Sequence, residues 1–259
     1  MHRIALISEH ASPLASVGSI DCGGQNVYVA HLARELGKRG YQVDVFTRRD
    51  KALLPDVVAF APNVRVVHVA AGPARQIPKE QLLPFMPAFG DEMVAFMRRD
   101  SKGYDVLHAN FFMSGVAALR ARAMLGIPLV MTFHALGKVR RLHQGSADGF
   151  PDSRFDIEDE LVREADCIVA ECPQDLEDLV ELYAADPARV EVVPCGFDDG
   201  EFSPMDRGQA REALHWAPRT FSVLQLGRLV PRKGIDNVIR AIGCLRASFG
   251  VDARLYVVG

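Results

Sequence analysis

Short runs of apolar residues alternate along the chain with longer segments in which apolar residues recur at helical spacing. The runs are dense in Val, Ile and Leu on both alternations, as expected for strands that are covered on both faces. They predict seven strands, at Arg3–Ser8, Gln42–Thr47, Val64–Val69, Asp105–His108, Pro128–Thr132, Cys167–Ala170 and Val190–Val193. This alternation is typical of an α/β fold, a parallel sheet wrapped by helices.

The intervening segments predict five helices, at Gly24–Arg39, Pro78–Arg99, Met113–Leu125, Asp156–Ala165 and Pro173–Tyr183. In the first helix Tyr28, Leu32 and Leu36 form one apolar stripe. Gly40 follows as a residue suited to the left-handed position after a helix. Together these elements predict a complete Rossmann-like domain.

The pattern changes after Val193. Pro194-Cys195-Gly196 and Ser203-Pro204 bracket a stretch without periodicity, which predicts a linker between two domains, 1–203 and 204–259. The alternation then restarts with a helix at Gly208–Leu214, a strand at Phe221–Leu226, a helix at Gly234–Ser248 and a strand at Arg254–Val258. Two strands and two helices cannot cover both faces of a parallel sheet. We therefore expect the second domain to be incomplete and the chain to be a fragment.

Composition narrows the class of protein. The chain has 259 residues, of which 49% are hydrophobic and 24% charged, as in a globular protein with a substantial core. Its net charge of −3 gives no overall field for nucleic acid or an anionic membrane. No apolar stretch reaches the roughly 18 residues of a membrane span. Five cysteines without a CxxC pair favour reduced thiols in a cytoplasm.

A glycine pair directly precedes the first predicted helix, in the segment Asp21-Cys22-Gly23-Gly24-Gln25-Asn26. Adjacent glycines let the backbone approach a ligand closely. The free N–H groups and the dipole of a helix start suit a phosphate; a simple turn is the alternative interpretation. The segment is not GxGxxG, and no acidic residue ends the second strand, which argues against a nicotinamide or flavin dinucleotide site.

A second loop, Gly227-Arg228-Leu229-Val230-Pro231-Arg232-Lys233-Gly234, follows the first strand of the second domain. Ligands of open parallel sheets bind at the carboxyl ends of strands, so Arg228 and Lys233 are expected at the ligand-facing edge. Two neighbouring cations repel one another unless an anion lies between them, and a diphosphate fits that role. A solvated loop is the alternative.

Two histidines stand at predicted strand ends. His134, in Thr132-Phe133-His134-Ala135-Leu136-Gly137, leaves a central strand into a loop and is well placed to contact a substrate. We interpret His108 as structural.

An acidic group comprises Glu158, Asp159, Glu160, Glu164 and Asp166. We interpret it as the acidic first turn and exposed face of a helix. A catalytic carboxylate pair or a metal site is the alternative. No DxD triplet is present, so Arg228 and Lys233 would neutralise a leaving diphosphate in place of a metal.

Taken together, these segments resemble glycosyltransferase family 4 over essentially the whole chain. The matching segments, in the family's order, are 21–29, 46–48, His108 with Ser114-Gly115, 132–137, 192–198, 202–204 and 227–234. The resemblance is greatest to the branch that contains sucrose synthases, sucrose-phosphate synthases and inositol-phosphate glycosyltransferases.

The resemblance implies a GT-B fold, a retaining reaction, and a nucleotide-sugar donor held mainly by the C-terminal domain, without a metal or bound cofactor. Gly23 and Gly24 would approach the donor diphosphate. Arg228 and Lys233 would bind it and stabilise its charge as it leaves, and His134 would hydrogen-bond the transferred sugar. In this front-face chemistry the departing phosphate accepts the proton of the acceptor hydroxyl, so no enzymatic nucleophile is required.

The resemblance also implies a small carbohydrate acceptor bound by the N-terminal domain through Asn26, Lys79, Phe111 and Arg154. In the inositol-phosphate branch the acceptor phosphate is bound at the positions of Lys79, Phe111, Ala135 and Arg154. The two basic residues are present here, so an anionic acceptor stays open. Phe111 and Ala135 replace a Tyr and a Thr of that branch, which argues against inositol phosphate in particular. The family's paired glutamates would lie beyond Gly259. A nucleotide-sugar epimerase and an inactive sugar-nucleotide-binding module are the alternative functions, and a homodimer is left open.

Overall fold

The structure is a computed structural model that describes residues 2–15, 23–227, 229 and 233–259. Within it the chain divides into two units, Met1–Cys195 and Gly196–Gly259. No helix in the described ranges is both long and apolar enough to cross a bilayer.

One sheet of eight strands runs through the first unit. The strands are β1 (Arg3–Ile7), β2 (Gln42–Arg48), β3 (Val57–Ala61), β4 (Val64–Val69), β5 (Val106–Asn110), β6 (Leu129–Thr132), β7 (Cys167–Ala170) and β8 (Val190–Val192). They lie in the order β3-β4-β2-β1-β5-β6-β7-β8, and every pairing is parallel except that of β3 with β4. The predicted parallel sheet and its seven strands are confirmed.

Sequence reasoning missed β3, the antiparallel strand at the sheet edge. It forms a hairpin with β4 through a turn in which Asn63 adopts a positive φ of 63°. Pro55 and Pro62 flank the strand. The expected alternation of strand and helix leaves no place for the second strand of a hairpin, which is why it was not predicted.

Six α-helices of the first unit are described: α1 (Gly24–Lys38), α2 (Met86–Arg98), α3 (Phe112–Leu125), α4 (Gly137–Gln144), α5 (Ser153–Glu164) and α6 (Pro173–Tyr183). The predicted single helix at Pro78–Arg99 is wrong in its first part, where two 3₁₀ turns, Lys79–Gln81 and Leu83–Phe85, precede α2. Pro84 and Pro87 lack the N–H that a helix interior needs, so the helix begins only at Met86. Helix α4 was missed because it is mostly polar and buries only Gly137.

Two apolar clusters cover the two faces of the sheet. Ala5 and Ile7 of β1 belong to the larger cluster, which includes residues of α2, α3 and α5, whereas Leu6 between them belongs to the smaller cluster beneath α1. Successive side chains of a strand point to opposite faces. Both faces are therefore buried, as the dense apolar runs predicted.

The second unit contains α7 (Arg207–Ala213), β9 (Phe221–Leu226), α8 (Ile235–Phe249) and β10 (Ala253–Val258). Strands β9 and β10 pair in parallel, with Phe221 opposite Ala253. The predicted order of helix and strand in this unit is confirmed.

Gly37 lets α1 lie directly against the β3–β4 hairpin. A Cβ at this position would lie 2.5 Å from the backbone oxygen of Pro62 and 2.6 Å from Cγ2 of Val64. Asn63 Nδ2 also donates to the Gly37 carbonyl at 3.1 Å. Because a backbone atom blocks the space, a side chain at position 37 would push the helix away from the sheet.

We expect Gly37→Ala to lower the free energy of unfolding by about 1–3 kcal/mol through overpacking, although alanine alone favours a helix by about 1 kcal/mol over glycine. Urea unfolding followed by circular dichroism measures the change. Gly243→Ala is the matched control, because an added Cβ on α8 meets no atom within 4 Å. Equal stabilisation by both substitutions would contradict this packing.

Candidate active site

Three neighbouring strands bring polar side chains to one edge of the first unit's sheet. Asn110 is the last residue of β5, His134 lies two residues beyond β6, and Glu171 directly follows β7. Asn110 pairs in register with Thr132 at the end of β6. Because these strands are parallel, their carboxyl ends meet at the same edge, where ligands of open parallel sheets bind.

The imidazole of His134 is fixed from both sides. Its Nδ1 lies 3.0 Å from Oε1 of Glu171, and its Nε2 lies 3.0 Å from Oδ1 of Asn110. The ring of Tyr28 packs edge-on against it, with the centroids 4.8 Å apart. His134 has a positive φ of 58°, a conformation that costs a non-glycine residue on the order of 1 kcal/mol or more. The surrounding contacts hold this strained residue in place.

Glu171 is a charged acceptor at this edge. Burial alone would raise the pKa of its carboxyl, but the hydrogen bond and charge of His134 outweigh it and hold the pKa below its usual value. Cys195 Sγ also donates to Glu171 Oε1, at 3.3 Å. Partial burial and the adjacent carboxylate raise the pKa of the Cys195 thiol to about 11. Cys195 is therefore a neutral donor and not an activated thiolate.

His108 has a structural role in the sheet, in line with the interpretation from the sequence. Its Nε2 lies 2.8 Å from Oγ1 of Thr132 on the neighbouring strand. Burial, together with the nearby charge of His134, lowers the pKa of His108 to about 4. The ring is therefore neutral near pH 7 and hydrogen-bonds within the core.

Helix α1 starts beside the same edge. Gly23 is its N-cap and Gly24 its first residue, and a Cβ on either would meet no atom within 4 Å. Asn26 Oδ1 accepts from the Gly23 N–H at 3.1 Å. Gln25 Nε2 donates to the Asn110 carbonyl at 3.1 Å, which ties the helix start to the residue that holds His134. Asp21 and Cys22 of the predicted motif lie outside the described residues.

A polar cavity of about 240 Å³ opens next to the helix start. Asn26 and Lys79, two of the four predicted acceptor-binding residues, line it together with Glu9, His10 and Arg48. Phe111 and Arg154, the other two, do not line it.

Similarity to known proteins identifies the family of this chain. The sequence model described as Glycosyltransferase Family 4 matches residues 22–201. The chain belongs to glycosyltransferase family 4. A D-inositol 3-phosphate glycosyltransferase from Actinosynnema mirum is 40% identical over the whole chain, which spans 63% of that relative's length. The chain thus spans less than two thirds of a family 4 relative.

Solved structures show the same architecture. A sucrose-phosphate synthase (tll1590) from Thermosynechococcus elongatus is 30% identical and matches all of this chain and 62% of its own, with a TM-score of 0.87. Anabaena HepE, solved in complex with UDP-glucose, is 20% identical over 100% of this chain and 61% of its own, with a TM-score of 0.66, and supports the fold alone. The GT-B fold predicted for this family 4 chain is confirmed.

Arg154 of the family 4 chain is fully buried. Its Nε donates to Glu158 Oε1 at 2.6 Å, its Nη2 donates to the Ala135 carbonyl, and its guanidinium carbon lies 4.6 Å from the ring centre of Phe112 and 5.1 Å from that of Phe111. Its Nη1 is buried without a hydrogen-bond partner among the described residues. Phe111 contacts Arg154 and also packs on His10, which lines the cavity. Arg154 thus lies inside the unit, one aromatic ring behind the cavity lining.

The interpretation of the acidic group as a solvated helix face is wrong for Glu158. Glu158 is fully buried and accepts hydrogen bonds from Arg154, the Gly137 N–H and the Tyr183 hydroxyl. Burial raises the pKa of its carboxyl despite these donors. Glu158 lies one helical turn after Arg154 and neutralises its charge inside the core. In the sequence, this spacing of opposite charges is equally typical of a solvated helix face.

The loop after β9 is described only in part. Gly227 has a φ of 141°, and the Cδ and Cε atoms of Lys233 lie 3.9 Å from the position that a Cβ on Gly227 would occupy. The stem of Lys233 therefore lies beside the carboxyl end of β9. Arg228 lies outside the described residues, so its predicted role stays a prediction.

Sequence reasoning missed three polar residues of this edge: Glu9, Asn110 and Glu171. Each lies within two residues of the end of a predicted strand, which is the signal that singled out His134. In the part of the chain that the structure describes, no group of three or more His, Cys, Asp or Glu side chains could hold a metal ion.

We expect Glu171→Gln to lower the free energy of unfolding at pH 7 by about 2 kcal/mol, since it removes a hydrogen bond to a charged acceptor. The folded-state pKa of Glu171 is depressed, so this stabilisation is present above the unfolded pKa of about 4.3 and is lost as the pH falls through the lower folded value. Urea unfolding at pH 7 and pH 3 measures it. Glu177→Gln, on the exposed side of α6, should change little, and a Glu171→Gln deficit that is equal at both pH values would argue against the charged contact.

Proposed function

We propose that the protein is a retaining glycosyltransferase. It transfers a hexosyl group from a nucleotide-diphosphate sugar to a hydroxyl of a sugar, sugar phosphate or related polyol. The observation that carries this proposal is the link between Gln25 and Asn110. That hydrogen bond joins the helix start suited to a phosphate directly to the residue that holds His134.

In this proposal the first unit contacts the donor diphosphate through backbone groups, and the second unit binds it through charged side chains. Gly23 and Gly24 approach the donor diphosphate with their backbone, since neither carries a side chain that would keep a ligand away. Arg228 and Lys233 bind the diphosphate and stabilise its charge as it leaves, in place of a metal ion. The departing phosphate takes the proton of the acceptor hydroxyl, so bond breaking and proton transfer occur on one face of the sugar.

His134 contacts the transferred sugar in this proposal. Both of its ring nitrogens have partners, and the bond to the charged Glu171 is the stronger of the two. The bond to the neutral amide of Asn110 is therefore the one that a sugar oxygen replaces. His134 keeps its orientation through Glu171 while Nε2 turns to the substrate.

The acceptor occupies the polar cavity of the first unit, which Asn26 and Lys79 line. The name of the Actinosynnema mirum relative supports a phosphorylated polyol as one acceptor class. Phe111 and Arg154 act from behind the cavity wall. We place the protein in the cytoplasm, where its free cysteines would stay reduced.

We expect Arg228→Ala or Lys233→Ala in the full-length protein to lower kcat by about 100- to 1,000-fold, because each removes roughly 2–4 kcal/mol of stabilisation from the charge that develops on the diphosphate. Transfer from UDP- and GDP-sugars to sugar and polyol phosphates measures the rate, and the anomeric configuration of the product is read by NMR. Lys102→Ala, at an exposed lysine, is the control.

Three results would contradict the proposal. They are unchanged turnover in either variant, an inverted anomeric centre in the product, or conversion of the donor to its epimer when no acceptor is present.

A further inference from the structure

A short loop joins His134 to helix α4. His134 has a positive φ of 58°, and α4 begins only three residues later, at Gly137. A strained residue keeps such a conformation only where the surrounding structure holds it. Asn110 and Glu171 orient the imidazole ring. Because the ring gives up Asn110 in the proposed reaction, the backbone needs anchors of its own.

Buried side chains from α5 and α6 anchor this loop at three backbone groups. The carbonyl of Ala135 accepts from Nη2 of Arg154. The first two N–H groups of α4 donate to Glu158 Oε2 and to the Tyr183 hydroxyl oxygen, each over 2.8 Å. N–H groups at a helix start have no partner within the helix itself. Residues 135–138 are therefore held by side chains of two other helices.

The three anchoring side chains also bond to one another. Arg154 Nε donates to Glu158 Oε1 at 2.6 Å, and the Tyr183 hydroxyl donates to Glu158 Oε2. Burial and the charge of Glu158 raise the pKa of the Tyr183 hydroxyl, which therefore keeps the proton that this bond needs. Arg154 and Glu158 are 0% exposed. The two charged groups are closed to a ligand in this conformation and reach the site only through the loop backbone.

Gly137 lets the loop backbone lie directly against this ion pair. A Cβ at position 137 would lie 2.8 Å from Arg154 Nε and equally close to Glu158 Oε2. A buried ion pair contributes little net stability compared with apolar residues of similar volume. What this pair supplies is a set of directed hydrogen bonds at a fixed place, and apolar side chains could not supply them.

We propose that Arg154, Glu158 and Tyr183 form a positioning triad, which holds residues 135–138 and thereby fixes the backbone of His134 for its contact with the transferred sugar. This inference rests on the proposed transfer function and adds to it three residues that act through the loop. The imidazole exchanges Asn110 for a sugar oxygen in that reaction, so the ring loses one of its two polar contacts within the protein. The triad keeps the Cα of His134 in place during the exchange.

Two matched tyrosines separate positioning from stability. Tyr183→Phe removes the hydroxyl that Glu158 and the loop share. Tyr104→Phe removes a hydroxyl that donates to Asp44, a carboxylate that is also buried and paired with Arg3. Tyr104 lies just before β5, at the amino end of the strand whose carboxyl end carries part of the site. We expect both substitutions to lower Tm by similar amounts.

Only Tyr183→Phe should slow the reaction. In the full-length protein we expect its kcat to fall by about 10- to 100-fold, because a small misplacement of a group that acts in the transition state is costly. The KM values for donor and acceptor should change by less than about threefold, and Tyr104→Phe should keep kcat within about twofold of the parent.

¹⁵N NMR of the imidazole reports the geometry of His134 without turnover. We expect its ring nitrogen signals to shift in Tyr183→Phe and to stay unchanged in Tyr104→Phe, with His134→Gln identifying the signals. Gly137→Ala, whose Cβ displaces the ion pair, should shift them as well. Gly37→Ala, which overpacks α1 against the β3–β4 hairpin, should lower Tm and leave them unchanged.

Two results would overturn the role of the triad: equal kcat in Tyr183→Phe and Tyr104→Phe, or His134 signals that Tyr183→Phe leaves unmoved. The two proposals fail separately. If no donor supports transfer by the parent, the transfer function is wrong, and the NMR comparison alone decides on the triad. If transfer proceeds and neither kcat nor the signals respond to Tyr183→Phe, only the triad is wrong.

Discussion

The arrangement of the site depends on one constraint: neighbouring parallel strands end at the same edge of a sheet. Strands β5, β6 and β7 are adjacent, and each ends with or beside a polar side chain. Because of this constraint, His134 hydrogen-bonds to Asn110, 24 positions before it in the sequence, and to Glu171, 37 positions after it. No local pattern could bring them together. The sheet order does.

Two carboxylates at this edge each orient a histidine. Glu171 and Glu9 each follow a strand end, and each fixes the Nδ1 side of a histidine. A fixed first nitrogen leaves the second with a defined direction and role, which is how carboxylate–imidazole pairs act in many enzymes. Arg154 and Glu158 are different, because they neutralise one another inside the core and support the aromatic wall behind the cavity.

Much of this could be predicted from the sequence. Seven dense apolar runs fixed the sheet because strands buried on both faces leave a strong signal, and the strand-end position of His134 was sufficient to single it out. The hairpin strand β3 and the polar helix α4 gave no such signal. The buried state of Glu158 could not be predicted, since its position on a charged helix is indistinguishable from a solvated one until Arg154 and Tyr183 are placed around it.

The most direct test of the account is a crystal structure of the full-length protein with a nucleotide-diphosphate sugar bound. The account predicts diphosphate oxygens within hydrogen-bonding distance of the N–H groups at Gly23 and Gly24. It also predicts that His134 Nε2 has exchanged Asn110 for an oxygen of the sugar while Nδ1 stays on Glu171. A donor bound away from this strand edge, with the contacts of His134 unchanged, would contradict it.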